Sequence, residues 1–260
     1  MSLALRTADL TKVYYKKEGF LKLRATPTTV VDKLNLQVPQ GEVYGFLGMN
    51  GAGKTTTIKT LMGFIEATSG GIEVFGERIG PPEVRRRIGF APERAAFYDY
   101  LTAREVLEYL GGLSRLPAKI VSERVPHLLE LVALDGKGDT LVKNFSKGMQ
   151  TRLGIAQSLL GDPDLLVFDE PTTGLDPLGR RMFKDLVLKL STSGKTVFFS
   201  SHQLSDVQEI CKRVGIIHRG KLLYEGLVAD LVKDGTALEE KFVKMVTQVD
   251  HEMGIKTQIQ

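Results

Sequence analysis

Three observations predict an α/β fold. A glycine-rich segment, Gly48-Met49-Asn50-Gly51-Ala52-Gly53-Lys54-Thr55, is preceded by the apolar run 43–47 and followed by the helix-like run 56–62. A second apolar run, 165–168, ends on two carboxylates, Asp169 and Glu170. A third strand-like run, 196–200, is followed by His202. Short unbroken apolar runs are what strands need when both faces of a parallel sheet are covered, and helical stretches between such runs supply the crossovers.

Taken in order, residues 4–14 and 28–38 carry strand patterns, with Leu34, Leu36 and Val38 alternating with polar residues. Between them the polar, basic segment 15–27, with Lys16, Lys17, Lys22 and Arg24, predicts a hairpin excursion or loop. Residues 41–47 feed the glycine-rich segment as a strand, 55–63 leave it as a helix, and 72–75 and 87–91 predict two more strands. Ala103, Val106, Leu107 and Leu110 then recur at helical spacing, as do Leu128, Leu129, Leu131 and Val132, so 94–160 is expected to be largely helical. Strand 165–168, helix 178–190, strand 196–200 and helix 204–212 resume the alternation. Residues 214–218 and 221–224 predict a hairpin turning at Arg219-Gly220, and 226 to about 247 a helical tail. The expected organisation is one domain over 1–247, with its helical insertion at about 94–160, and a C-terminal tail at 248–260.

A chain of 260 residues can bury one sizeable core, and 42% apolar with 25% charged residues is an ordinary globular balance. No stretch reaches the roughly 18–20 apolar residues of a membrane span, and Met1 to Arg6 lack the apolar centre of a secretory signal. The single cysteine, Cys211, cannot form an internal disulfide, which fits a reducing compartment. Its neighbours Val207, Ile210 and Val214 mark it as a small core residue rather than a reactive thiol. The net charge of +4 and pI near 9.0 describe a mildly basic surface that selects neither nucleic acid nor anionic lipid. Arg85-Arg86-Arg87 reads as a solvated face.

In its strand–loop–helix setting the glycine-rich segment has the pattern of a phosphate-binding loop. Glycines let successive backbone N–H groups turn inward on an anion, here at Gly48, Asn50, Gly51, Ala52 and Gly53. The helix N-terminus at Lys54, Thr55 and Thr56 adds roughly half a positive charge at the same point. Lys54 would reach the β- and γ-phosphates of a nucleoside triphosphate, and the Thr55 hydroxyl would ligate Mg²⁺. Asp169, at the carboxyl end of a parallel strand beside this loop, is placed to act on the metal. Adjacent strand residues point to opposite sides, so Glu170 is expected to address water as the general base, a role worth roughly 10²–10⁴-fold. His202 is assigned to the γ-phosphate and the attacking water, as a donor rather than a base. The segment Phe145-Ser146-Lys147-Gly148-Met149-Gln150 opens a helix running through Leu153, Ile155, Ala156 and Leu159. Ser146 is a good N-cap, and an anion could be held at that helix end.

This set of motifs resembles the ATP-binding cassette (ABC) ATPases, the nucleotide-binding subunits of ABC transporters. The matching pieces stand in family order: the phosphate loop, Ser146-Lys147-Gly148-Met149-Gln150 as signature, the acidic strand ending in Asp169-Glu170, Gly174-Leu175-Asp176-Pro177 as D-loop, and His202 as switch histidine. Leu10-Thr11-Lys12-Val13-Tyr14 resembles the aromatic loop, with Tyr14 stacking on adenine. The resemblance covers about residues 4–247. It implies a P-loop NTPase core of ABC ATPase type, with an antiparallel β subdomain and a helical insertion subdomain. ATP and Mg²⁺ are the implied ligands. Two copies of the chain would sandwich two ATP molecules head to tail, with Ser146, Lys147, Gly148, Met149 and Asp176 finishing the partner's site. Integral membrane permease subunits would complete the machine, seating this chain peripherally on the cytoplasmic side of the cell membrane.

Three positions depart from the commonest family pattern. Glu93, in Phe90-Ala91-Pro92-Glu93, stands where a glutamine usually touches Mg²⁺ and relays to the membrane domain. A carboxylate remains a hard-cation ligand but adds repulsion toward the γ-phosphate. Lys147 replaces the signature's first glycine and Met149 its glutamine, while Ser146 and Gly148 are retained. These variants, with Ser200-Ser201-His202 and the tail Ala237-Leu238-Glu239-Glu240-Lys241-Phe242, resemble the exporter-type branch that works with separate permeases. The alternative is a non-transport ABC ATPase acting on nucleic acid or ribosomes, which would need a long coiled-coil insertion or a tandem second cassette; neither is seen, and no nucleic acid is expected as partner. A phosphate-loop kinase or GTPase would leave the Ser146 helix without a task, and the Asn-Lys-x-Asp guanine-reading motif is missing.

Overall fold

The computed structural model describes residues 2–18 and 24–255. The chain opens with two long antiparallel strands, β1 (Leu3–Glu18) and β2 (Arg24–Leu34), paired from Leu10 with Leu34 out to Glu18 with Arg24. The polar segment 15–27 therefore extends this hairpin. Its tip with Lys22 lies outside the described residues, as do the side chains of Lys16, Lys17 and Arg24. β3 (Gln37–Pro39) pairs with the start of β1, and β4 (Val43–Leu47), buried throughout, leads through loop 48–53 into α1 (Lys54–Leu61). β5 (Ser69–Val74), which begins earlier than the apolar pattern implied, and β6 (Glu77–Arg78) return to the first sheet, ordered β2-β1-β5-β6 with β3 beside β1.

After α2 (Pro82–Arg86), β7 (Ile88–Ala91) enters a second sheet. α3 (Ala103–Leu113), α4 (Ala118–Leu131) and α5 (Lys147–Leu159) fill the interval before β8 (Leu165–Asp169). Thr102 starts α3 with a reciprocal capping box to Glu105, whose carboxyl is held below its usual range by the Thr102 N–H and hydroxyl. Then follow α6 (Pro177–Thr192), β9 (Thr196–Ser201), α7 (Leu204–Ile210), β10 (Arg213–His218), β11 (Lys221–Leu227), α8 (Val228–Leu231) and α9 (Leu238–Glu252). The helical tail expected from 226 to about 247 is thus two helices, interrupted around Gly235, which holds φ 80°. α9 continues to Glu252 because Leu238, Val246 and Asp250 are buried along one of its faces, so the segment 248–260 begins inside a packed helix.

The second sheet runs β11-β10-β4-β9-β8-β7, parallel except for β11. Alternate residues of its central strands feed two cores, as a period of two requires. Val43, Leu47, Leu166, Phe168, Val197 and Phe199 join the cluster under α3 to α7, whereas Tyr44, Phe46, Leu165, Val167 and Phe198 join the one shared with α1 and the antiparallel sheet. Registers then align the strand ends: Leu47 stands beside Ser201, and Ser200 beside Asp169. The phosphate loop, the acidic pair and the segment before His202 therefore leave the sheet side by side. The carboxyl edge of an open parallel sheet is where such folds bind ligands.

α5 lies so close over β7 that a Cβ on Gly89 would stand 2.1 Å from the Ser158 carbonyl oxygen and 2.8 Å from Pro163 Cγ. Gly89→Ala is expected to lower folding stability by about 1–3 kcal/mol or more through overpacking. Chemical denaturation checks this, and an unchanged midpoint would contradict the close approach.

Candidate functional site

Loop 48–53 has its shape because glycine allows contacts that a side chain would block. A Cβ on Gly48 would lie 2.6 Å from the Ile217 carbonyl oxygen, and one on Gly53, at φ 110°, 2.7 Å from that of Val30. Gly53 is the N-cap of α1 and offers no side-chain cap. The N–H groups of the first turn thus have no carbonyl one turn back to meet, which is the arrangement that attracts an anion. Asn50 and Gly51 form the exposed rim of this loop, Ala52 is buried, and the Thr56 carbonyl accepts from the Thr60 hydroxyl.

Lys54 is folded back into the loop. Its ammonium donates to the Gly48 carbonyl at 2.6 Å and the Met49 carbonyl at 3.3 Å. It also stands 3.0 Å from Glu170 Oε1, paired in charge but not oriented as a hydrogen bond, with the two side chains 6% and 8% exposed. The Thr55 hydroxyl faces Asp169 Oδ1 at 3.4 Å, and the Ser200 hydroxyl donates to the same oxygen at 2.7 Å. Burial pushes the Asp169 carboxyl above its usual range; the Ser200 and Thr55 hydroxyls pull it back, and the charges of Glu170 and Glu93 add to the rise.

The expected alternation of Asp169 and Glu170 does not hold. The strand ends at Asp169, and Glu170 adopts the left-handed region at φ 51°. Both carboxylates consequently turn to the phosphate loop, and Glu170 is buried rather than open to water. Glu170 Oε2 lies 2.7 Å from His202 Nδ1, and the Thr173 hydroxyl reaches it at 3.5 Å. Lys54, Thr55, Asp169, Glu170 and His202 form one constellation. Ser200, whose hydroxyl also accepts the Glu170 N–H at 3.0 Å, is the functional neighbour that the sequence reading left without a role. A hydroxyl at the end of a fully buried strand was its signal.

The remaining predicted residues lie apart from that constellation. Ser146 is the N-cap of α5 and accepts the Met149 N–H at 3.2 Å. The Lys147 stem lies over Gly174, where a Cβ would stand 2.9 Å from Lys147 Cδ, and Gly148 packs against the Gly174 carbonyl. Asp176 accepts the Gly179 N–H at 2.7 Å as the N-cap of α6. Among the described residues, no hydrogen bond of 146–149 reaches the phosphate loop. Glu93 stands beyond β7 with Arg94 at 4.0 Å and acts on Asp169 through its charge. Tyr14 is 43% exposed on β1, with the Lys12 ammonium 5.1 Å from its ring centroid.

A family model described as "ABC transporter" matches residues 31–173. The chain is 45% identical over 228 residues to the bacitracin transport ATP-binding protein of Bacillus licheniformis, covering 86% of this chain and 70% of that one. It is 38% identical over 205 residues to the Nod factor export ATP-binding protein of Cupriavidus metallidurans, covering 78% and 68%. The chain spans about two thirds of the length of the curated relatives it matches. A solved structure of an ATP-binding subunit of an ABC transporter superposes with a TM-score of 0.80 at 29% identity, covering 93% of this chain and 99% of that one.

Removing one member of a buried ion pair strands the other, at a cost of about 3–5 kcal/mol. Lys54→Ala is therefore expected to lower the stability of the nucleotide-free protein by about 3 kcal/mol, and adding Glu170→Gln to recover most of the loss. Denaturation of the single and double variants measures this. A double variant no more stable than Lys54→Ala would refute the coupling.

Proposed function

The chain belongs to the ABC transporter family of ATP-binding proteins, and we propose that it is the ATP-hydrolysing subunit of an exporter whose membrane path lies in separate permease subunits. The observation that carries this reading is the meeting of Lys54, Glu170 and His202 at the carboxyl edge of the parallel sheet, beside an uncapped helix N-terminus.

The residues divide the chemistry among themselves. Lys54 exchanges the Gly48 and Met49 carbonyls and its pairing with Glu170 for the β- and γ-phosphates of ATP. Once Lys54 has moved to the phosphates, Glu170 is the carboxylate that takes a proton from the attacking water, with His202 on its Oε2 side to donate to the γ-phosphate. Backbone N–H groups of Asn50, Gly51 and Gly53 and the first turn of α1, through Thr56, would hold the remaining oxygens, while the Ala52 N–H donates to the Met49 carbonyl at 3.1 Å. The Thr55 hydroxyl and Asp169, with Glu93 nearby, would hold Mg²⁺, which when bound neutralises charge on the β- and γ-phosphates. The donor set suits that ion. Its oxygens, the Thr55 hydroxyl and the Asp169 carboxylate, are hard.

The helix end at Ser146 supports the two-copy sandwich. It is an N-terminus suited to phosphate, yet it faces the 174–176 turn of its own chain rather than its own phosphate loop. In a head-to-tail dimer, Ser146, Lys147, Gly148 and Met149 would close over the partner's ATP. Asp176, engaged in capping α6, would shape the turn beside them, and Tyr14 would stack on adenine. Closing on ATP and reopening after hydrolysis would drive the permeases. No helix among the described residues is long and apolar enough to cross a membrane. A permease surface is offered instead by Tyr98, Tyr100 and Tyr109, which touch ring to ring and are 49%, 71% and 44% exposed just after Glu93. The transport and export names of the relatives favour this reading over action on nucleic acid.

Glu170→Gln should retain ATP binding, cut turnover by about 10²-fold or more, and accumulate as a dimer with ATP in light scattering. Wild-type turnover in that variant would remove Glu170 from the mechanism. Tyr100→Ala combined with Tyr98→Ser should abolish co-purification with the permease while ATP hydrolysis by the isolated subunit is unchanged. Retained co-purification would place the permease elsewhere.

A further inference from the structure

Asp250 falls in the segment that the sequence assigns to a tail, yet its side chain is 2% exposed. It projects from the last turns of α9 onto the turn between β10 and β11. His218 Nε2 lies 2.8 Å from Asp250 Oδ1, and Arg219 Nε donates to the same oxygen at 2.7 Å. That turn supports the phosphate loop from behind. The Ile217 carbonyl closes on Gly48, Gly220 Cα stands 3.6 Å from where a Gly53 Cβ would be, and the Gly220 N–H donates to the Ala52 carbonyl at 2.9 Å. The Gly220 carbonyl in turn accepts the Asp32 N–H at 2.9 Å, tying the turn to β2. Arg219 and Gly220 hold φ 46° and 79°, the positive values that a two-residue hairpin turn requires, and Asp250 clamps the Arg219 side chain of that turn. Beside it, residues 49–52, His218, Arg219, Asp250 and Ile255 line a cavity of about 380 Å³.

We propose that Asp250 is a positioning residue for ATP binding: through His218 and Arg219 it fixes the turn that backs the phosphate loop, and so links the C-terminal helix to nucleotide affinity. The inference rests on the reading that the loop holds ATP. A loop already in its binding shape incurs little ordering cost when the ligand arrives. Freed of Asp250, the turn and the loop would have to be ordered by ATP itself.

The test compares full-length wild type, Asp250→Ala, Asp250→Asn, Arg219→Ala and the Asp250→Ala/Arg219→Ala double variant. Affinity for ATP is measured by calorimetry, and hydrolysis by steady-state kinetics. Asp250→Ala should raise Kd and KM for ATP about 10-fold, within the range for residues coupled in one hydrogen-bond network, with kcat changed less than about twofold. Arg219→Ala should do the same, and the double variant no more. Amide hydrogen exchange at 48–53 should speed up in each. If Asp250→Ala does not fold, the milder Asp250→Asn should still raise KM about threefold, by the same coupling argument. Variants that melt lower but keep the wild-type KM and exchange rates would overturn the proposal and leave Asp250 as an anchor for α9. A wild-type chain that binds no ATP would instead overturn the functional reading beneath it.

Discussion

The parallel pairing of β4 with β9 and of β9 with β8 is the constraint from which the rest of the site follows. Parallel strands must be joined by crossovers, so each strand delivers its following segment to the same edge of the sheet. Registers that set Leu47 beside Ser201 and Ser200 beside Asp169 bring the phosphate loop, two carboxylates and a histidine within hydrogen-bond reach of one another. Burial of alternate residues in two differently shaped cores fixes that register, because a one-residue slip would send each side chain of the slipped strand to the opposite core.

Charge is concentrated at this edge and neutralised locally. Lys54 answers Glu170, Ser200 and Thr55 answer Asp169, and His202 answers the second oxygen of Glu170. Burial raises the cost of leaving any of these groups alone. The arrangement is therefore self-contained, with the lysine held by the Gly48 and Met49 carbonyls and Glu170. The second constellation, around Ser146 and Asp176, follows a different logic. There two helix N-termini are capped by their own side chains, and the first of them packs against Gly174.

Much of this was legible because it is local. The strand–glycine–helix pattern, the capping serine and the unbroken apolar runs each act over a few residues, and the structure places the elements where those patterns put them. Strand alternation failed at Glu170 because it applies only while the backbone stays extended, and a single left-handed residue at the strand end reverses the side chain's direction. The tail was misjudged as well. Val249 continues the helical spacing of Phe242, Met245 and Val246 beyond the bound set at 247, and the end of α9 is also held by the buried Asp250 carboxylate, which meets His218 and Arg219 of another element.

The sequence by itself determined the fold class, the strand–glycine loop–helix unit, the acidic strand end and the cap of the α5 helix, since propensity, periodicity and capping need only neighbours along the chain. Tertiary structure alone decided that Lys54 rests on Glu170, that Ser200 holds Asp169, and that Asp250 reaches the turn behind the loop. Those contacts join residues far apart in the chain. They come into being only when sheet register and helix packing fix both partners at once, and no pattern of nearby residues encodes that meeting.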